Sequence, residues 1–459
     1  MGAGAVSAAP SSPELHDVQG LVARGYGELG AAQFLMLAFD DAAAARAWVG
    51  TLGAALIPAD VRRPERAVHV AFTSSGLRTL GVAPDVLDLF SLEFRGGMTT
   101  SHRQRMFGDV GPDAPEHWDW GGPGRPVDAV LLLYARDKPA LAALDAEQRR
   151  ALPEGVRVVQ PLGTSDLQGY EPFGFRDGIS QPFVEGLSKT GPPAQTVRFG
   201  EFVLGYRNEH GHYTEDLLLK RAPELARNGT YLVFRQLRQD VRGFWRFLDG
   251  AARGPGGRPD PERRTMLAAK LLGRWPDGAP LVLSPEANDP ALERENDFGY
   301  AAIDPHGVRC PIGAHIRRAN PRDSLDPKPG TDKSLAVNRR HRILRRGREY
   351  GPPLPVDEAL REDAADGHER GLHFICLNGS IQRQFELVQF MWLNNPKFNG
   401  LYDDSDPIVG PSHPYGGTFT IQTETLREHL HGVPRFVSVK GGAYFFMPGI
   451  AATRHLASR

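Results

Sequence analysis

Residues 33–39, QFLMLAF, form a continuous apolar run of strand length. Immediately after it, Asp40-Asp41 and the alanine-rich residues 42–52 read as a cap and a helix. Strand followed by helix is the unit that decides the fold. It returns at 68–72 (VHVAF), where Thr and Ser open a short helix over 73–80, and at 129–134 (AVLLLY), where the helix over 138–152 ends at Pro153. Residues 156–160 add a further strand. Between the second and third strands lies a long excursion, residues 95–126, rich in glycine, proline and polar residues with interleaved aromatics.

The unit comes back in the second half. Residues 231–234 (YLVF) lead into a helix over 240–248, and 372–377 (LHFICL) lead through Asn378-Gly379 to Ser380, a plausible helix cap. From there Ile381, Phe385, Val388, Met391 and Trp392 fall at helical spacing until Asn394-Asn395-Pro396, and Phe385 and Trp392 are assigned to the core. Residues 435–439 and 443–446, separated by Lys440-Gly441-Gly442, read as a hairpin. The recurrence, twice in each half, predicts an α+β protein of two ferredoxin-like domains, each an antiparallel sheet with helices on one face. The expected division is a flexible leader over 1–16, an N-terminal domain over 17–170, a connecting segment over 171–225 and a C-terminal domain over 226–459.

Composition narrows the function classes. At 459 residues the chain exceeds the usual span of a single core, and 41% hydrophobic with 24% charged residues is ordinary for a globular protein. Its 54 basic and 55 acidic residues leave a net charge of -1, which gives no global attraction to nucleic acid or an anionic membrane, and no apolar run reaches membrane-span length. Neither a G-x-G-x-x-G after a strand nor a Walker sequence occurs. Cys310 and Cys376 are too few for a disulfide framework, although one bridge stays open; with no export signal at the start, the expected compartment is cytoplasmic.

Three stretches carry chemistry. In EPFGFRDGISQ, residues 171–181, Asp177 sits between Gly174 and Gly178 beside Arg176, which is a turn or a poised acid. In RCPIGAHIRRANPR, residues 309–322, a single His stands among four arginines. His306, Cys310 and His315 would be zinc donors without the usual spacing; the stretch could equally be a solvated basic loop, or an axial-ligand site whose arginines neutralise haem carboxylates. In NRRHRILRRGR, residues 338–348, Ile343-Leu344 interrupt the basic run as a strand entering a core would, carrying Arg345 inward toward an anion such as Asp177 or a bound peroxide. Residues 251–263 and 323–334 read as surface loops.

GFRDG at 174–178, CPIGAHIRRANPR at 310–322, ILR at 343–345 and GLHF at 371–374 stand in the order found in haem-containing dye-decolourising peroxidases, which the chain resembles. DVQGLVARGY at 17–26 and AYFFMPG at 443–449 extend the resemblance over nearly the whole chain. It implies two ferredoxin-like domains with haem b in the C-terminal one, His315 as proximal iron ligand, Asp177 as distal acid–base and Arg345 as distal arginine. The insert at 323–334 lengthens the spacing to that arginine and leaves Arg342 and Arg346 as alternatives. Arg322 is expected to bind the cofactor, Leu372 and Phe374 to wall the distal pocket, and Asp406 to accept the other ring proton of His315, with Asp403 and Asp404 as competitors.

The implied activity is reduction of hydrogen peroxide with oxidation of dyes, phenols or other bulky reductants in single-electron steps, at an acidic optimum because a carboxylate base must be ionised. The alternative is a haem-binding or haem-handling protein. Tyr350, Tyr402, Trp245 and Trp392 are candidate surface relays, with plain packing as the competing reading. A second copy of the chain is an admissible partner.

Overall fold

The computed structural model describes residues 12–187, 189–361, 367–411 and 415–459. The leader expected over 1–16 lies outside the described residues as far as residue 11. By Glu14 the chain is anchored, its carboxylate 3.0 Å from Arg227.

Nine strands make one mixed-length sheet: β1 (Ala31–Phe39), β2 (Arg66–Phe72), β3 (Ala129–Ala135), β4 (Val156–Gly163), β5 (Thr230–Gln239), β6 (Leu344–Arg345), β7 (Arg348–Tyr350), β8 (Gly371–Asn378) and β9 (Val437–Met447). Their order is β4-β1-β3-β2-β9-β5-β8-β6, with β7 also on β8, and the paired neighbours are antiparallel. With the short strands β6 and β7, both paired to β8, counted as one edge position, each half repeats one pattern: its fourth, first, third and second strands lie side by side, as the ferredoxin-like reading requires. The halves meet edge to edge at β2 and β9, through the single registered pair Phe446 and Phe72.

Local signals set the helices. Asp41 caps α1 (Ala42–Leu52), Asp137 caps α2 (Lys138–Arg150) and Asp240 caps α3 (Val241–Ala252), each side chain accepting a backbone N–H of the first turn. Two further helices matter here, α4 (His315–Ala319) and the terminal α5 (Ile450–Ala457), which packs on α1. Strand periodicity then divides the core. Leu35, Leu37 and Phe39 of β1 join the layer that holds Trp48 of α1, whereas Phe34 and Met36 join a second layer closed by Val18, Leu21, Phe199 and Phe202. Because loops cover the face opposite the helices, these antiparallel strands read as unbroken apolar runs, a pattern more usual in parallel sheets.

Two readings change. The hairpin expected around Lys440 is one continuous strand, β9, whose register against β5 slips at a bulge between Val439 and Gly441. The glycines are there for packing: a Cβ on Gly441 would stand 2.4 Å from Nε1 of Trp120, and one on Gly442 2.6 Å from the sulfur of Met98. The excursion thus inserts Trp120 against the sheet, where its Nε1 donates to Gln236 Oε1 at 2.8 Å. The helix after β8 is wound more widely, as π-helical segments Gln382–Glu386 and Val388–Leu393. Cys310 and Cys376 are free and buried, and among the described residues no helix is long and apolar enough to cross a membrane.

Phe446 is fully buried at the junction of the two halves. Phe446→Ala is expected to cost about 3–5 kcal/mol in denaturant unfolding, whereas Leu92→Ala, at an exposed site, should stay within about 0.5 kcal/mol. Equal effects would place the junction outside the cooperative core.

Candidate active site

On the helix face of the C-terminal half the core opens. Leu237 of β5, Leu372 and Phe374 of β8, and Val437 and Val439 of β9 floor a cavity of about 1800 Å³, solvent at its mouth included. The 171–181 stretch, α4, the segment around Ile343 and the π-helical turns close round it.

The 171–181 stretch delivers Asp177. Gly174 (φ 96°) and Gly178 (φ 78°) take left-handed conformations that a side chain would strain, so the turn reading holds. Glu171 braces the turn from inside: its carboxylate accepts from the N–H groups of Phe173 (3.1 Å) and Phe175 (3.0 Å) and from Nε2 of Gln239 on β5 (2.7 Å). Burial pushes the Glu171 carboxyl up to about 7. Arg176 turns away to Glu293 (3.0 Å) and the Asp277 carbonyl (2.8 Å), leaving Asp177 to a different guanidinium. That partner is Arg345, whose Nη1 lies 3.2 Å from Asp177 Oδ1.

Arg345 arrives on β6, paired with Cys376 of β8 as the interrupted basic run anticipated. Its backbone is clamped by Gln181, which accepts from Arg345 N–H (3.1 Å) and donates to Arg345 C=O (3.2 Å). Both ends of the 171–181 stretch therefore fix the pair. Asp177 and Arg345 side chains are each about one-third exposed (32% and 31%), open to a small molecule in the cavity.

His315 enters from the first turn of α4. Its Nδ1 is 3.0 Å from Asp406 Oδ2, while Asp406 Oδ1 accepts from the N–H groups of Ile408 and Val409, both at 2.9 Å. Burial opposes charge on both partners, yet the pairing prevails: the His315 pKa is raised and that of Asp406 lowered. An ionised carboxylate only accepts, so Nδ1 carries the proton, and Nε2 makes no hydrogen bond among the described residues. Of the competing aspartates, Asp403 is exposed and the Asp404 carboxylate accepts from Thr420 N–H at 2.9 Å. The zinc reading finds no group of three or more ligating side chains among the described residues.

The resemblance implies haem, and the residues present fit it. Arg342 lines the cavity, is 8% exposed, and its guanidinium makes no hydrogen bond or ion pair among the described residues. Burial first, then repulsion from Arg322 and Arg345, pushes its pKa down to about 9. A buried cation without a counter-charge on the wall of an apolar slot is what an acidic tetrapyrrole substituent would complete. Arg322, expected to bind the cofactor, is not on the wall. Its donors go to the Asn296 carbonyl (2.8 Å), the Phe298 carbonyl (3.0 Å) and Asn296 Oδ1 (2.6 Å), and its guanidinium stacks 3.7 Å from the Phe298 ring. Phe385, assigned to the core, also faces the cavity, and Glu171, Gln239 and Val388 are wall residues that the motifs did not single out.

Comparison with known proteins points the same way. No family model matches the chain. The dye-decolorizing peroxidase of Mycena epipterygia is 33% identical over 434 residues, 86% of this chain and 77% of that protein. The crystal structure of a fungal DyP-type peroxidase from Auricularia auricula-judae is 27% identical with a TM-score of 0.83, covering 98% of this chain and 100% of that one. A similar structure, also 27% identical with TM-score 0.83 over 97% and 100% of the two chains, is a dye-decolorizing peroxidase whose heme pocket was engineered for asymmetric sulfoxidation. Identity at this level along most of both sequences, on a backbone that superposes end to end, makes the chain a member of the dye-decolorizing peroxidase family.

Proposed function

We propose that the chain binds haem b through His315 and reduces hydrogen peroxide with Asp177 as the acid–base group, oxidising dyes and phenols one electron at a time. The observation that carries the reading is the Asp177–Arg345 pair, 3.2 Å apart and open to the cavity that His315 also lines. Bound haem supplies the iron at which the O–O bond breaks and the oxidising power for the later electron transfers.

The chain's own residues do the rest. Asp177, as carboxylate, takes the proton from one peroxide oxygen and returns it to the departing one. The Arg345 guanidinium stabilises the charge that develops as the bond lengthens. His315 presents the Nε2 lone pair, and Asp406, accepting the Nδ1 proton, fixes the tautomer and makes Nε2 the stronger donor. Arg342 balances cofactor carboxylates. Leu372 and Phe374 keep the wall beside the acid–base pair apolar and narrow, so that peroxide enters while a bulky dye gives up its electron elsewhere. Of the surface relays expected, Tyr402 is exposed, whereas Trp245 is buried with Nε1 donating to the Phe173 carbonyl.

Asp177→Asn and Arg345→Leu should each slow the reaction with hydrogen peroxide by about 10²- to 10⁴-fold in stopped-flow absorbance while the Soret band is kept; unchanged rates would remove the acid–base role. His315→Ala is expected to lose haem on gel filtration, and Asp406→Asn to weaken haem affinity or activity about 10–100-fold in titration and turnover assays. Arg342→Met should act with opposite signs. The haem-free protein melts higher, because an uncompensated buried charge is gone, and haem affinity falls; a variant that melts lower and binds haem as tightly would show Arg342 to be structural.

A further inference from the structure

Residues 17–26 put no side chain on the cavity wall, yet they lie across the loop-covered face of the sheet and end at the strand that carries Arg345. At one end Asp17 accepts from Asn228 Nδ2 (2.7 Å) and from the N–H of Ala451 on α5 (2.7 Å). Gln19 spans the junction of the halves. Its side-chain amide exchanges two hydrogen bonds with Val70 of β2, accepting at 3.1 Å and donating at 2.9 Å, and donates again to the Pro448 carbonyl just past β9, also at 2.9 Å. At the other end the carbonyls of Leu21 and Val22 accept from Arg346 Nε (2.6 Å) and Nη2 (2.7 Å), and those of Gly25 and Tyr26 accept from Arg348 Nη2 (3.1 Å and 2.6 Å).

That grip matters because β6 is a weak support. It is two residues long, lies at the end of the sheet, and has registered partners on β8 alone, Leu377 for Leu344 and Cys376 for Arg345. A guanidinium that answers a developing charge has to be held to within about 0.5 Å. Neighbours in a strand point to opposite faces. Arg345 reaches Asp177, while Arg346 turns to the loop-covered face, which removes it as an alternative distal arginine. Its remaining nitrogen, Nη1, donates to the Arg345 carbonyl at 3.0 Å, the same oxygen that accepts from Gln181 Nε2 at 3.2 Å. Each nitrogen of this guanidinium thus ends on a main-chain oxygen, and none meets a carboxylate among the described residues. Burial pushes its pKa down to about 10. A buried cation without a counter-charge is a costly way to fill space, and an apolar side chain would pack there at less cost. What the guanidinium adds is a three-point link between residues 21–22 and the peptide of Arg345.

We propose that residues 17–26 are a strap that positions the distal guanidinium, with Arg346 pinning the Arg345 carbonyl to the carbonyls of Leu21 and Val22. Arg346 is a positioning residue and acts only through Arg345, so the proposal rests on the reading of Arg345 as the distal arginine. Gln181 holds the Arg345 peptide from the 171–181 stretch, and the strap holds it from the opposite face of the sheet. Through Gln19 the same strap joins that peptide to the junction of the two halves.

The test is a double-mutant cycle on the haem-loaded protein with Arg346→Met, Arg345→Leu and both together. It is read by the stopped-flow reaction with hydrogen peroxide and by fluoride titration of the ferric protein, fluoride being an anion that a charged donor on the distal side stabilises. Arg346→Met is expected to slow the peroxide reaction roughly 10- to 100-fold and to weaken fluoride binding about tenfold, while haem affinity stays within about twofold. In the Arg345→Leu background the same substitution should change neither reading by more than about twofold, because the group it positions is gone. Arg346→Lys, with a donor for one of the three carbonyls, should show smaller losses that again vanish in the Arg345→Leu background, and it carries the test if Arg346→Met does not fold. Equal effects in the two backgrounds would show that Arg346 only stabilises the fold, and unaltered rates and fluoride affinity in Arg346→Met would show that Gln181 suffices; either result overturns the proposal. An Arg345→Leu protein that reacts with peroxide and binds fluoride as the unaltered protein does removes the distal-arginine reading itself, and the strap's role with it.

Discussion

Side chains alternate across a strand, so a sheet buried on both faces must divide every strand between two cores. Along β8, Ile375 and Leu377 fill the loop-covered layer, Cys376 fills the helix-side layer, and Leu372 and Phe374 continue that second layer toward the cavity. The site is therefore the place where the helix-side core goes hollow. Phe385 and Val439 are packed into this core and also line the cavity, so the walls inherit the rigidity of the packed sheet. A slip of one residue in β8 would put His373 or Ile375 where Phe374 stands and turn Phe374 to the loop-covered layer.

The hollow is charged in a way the fold does not balance. Asp177 faces Arg345, and His315 faces Asp406, two pairs in which each partner has an answer. Glu171 and Arg342 have none of opposite sign: one is held by three neutral donors and shifted up, the other makes no polar contact through its guanidinium among the described residues and is shifted down. Structure alone would favour replacing both with apolar residues. Their retention is understandable if Glu171 holds the turn that aims Asp177 and Arg342 awaits an anion, which couples the stability of the empty protein inversely to its capacity to bind.

Much of this was legible in the sequence because strands buried on both faces announce themselves, and because the motif residues lie where chain geometry leaves little choice. Asp177 is locked between two glycines, and Ile343-Leu344 mark the strand that carries Arg345. What stayed hidden depended on contacts between distant segments. Gly441-Gly442 imitate a hairpin turn, since nothing local reveals that Trp120 occupies the space. Arg322 and Arg342 are equivalent in composition; only the carbonyls at Asn296 and Phe298 take Arg322 out of the cavity. Phe385 at ordinary helical spacing points to a core, and the wider π-helical winding turns the same ring partly toward the cavity.

The same alternation bears on where electrons travel. On the proposed reading, the wall formed by Leu372 and Phe374 admits peroxide and keeps a bulky reductant outside, and oxidising equivalents then cross protein to reach it. Tyr350 stacks on His373 at 4.5 Å, in contact with the loop-covered layer through Phe34 and Phe234, and so lies across the sheet from the cavity. Tyr444 lies on the cavity's own face, packed against Phe385, with its hydroxyl donating to Glu386. Strand register, which decides what is core and what is cavity, decides that as well.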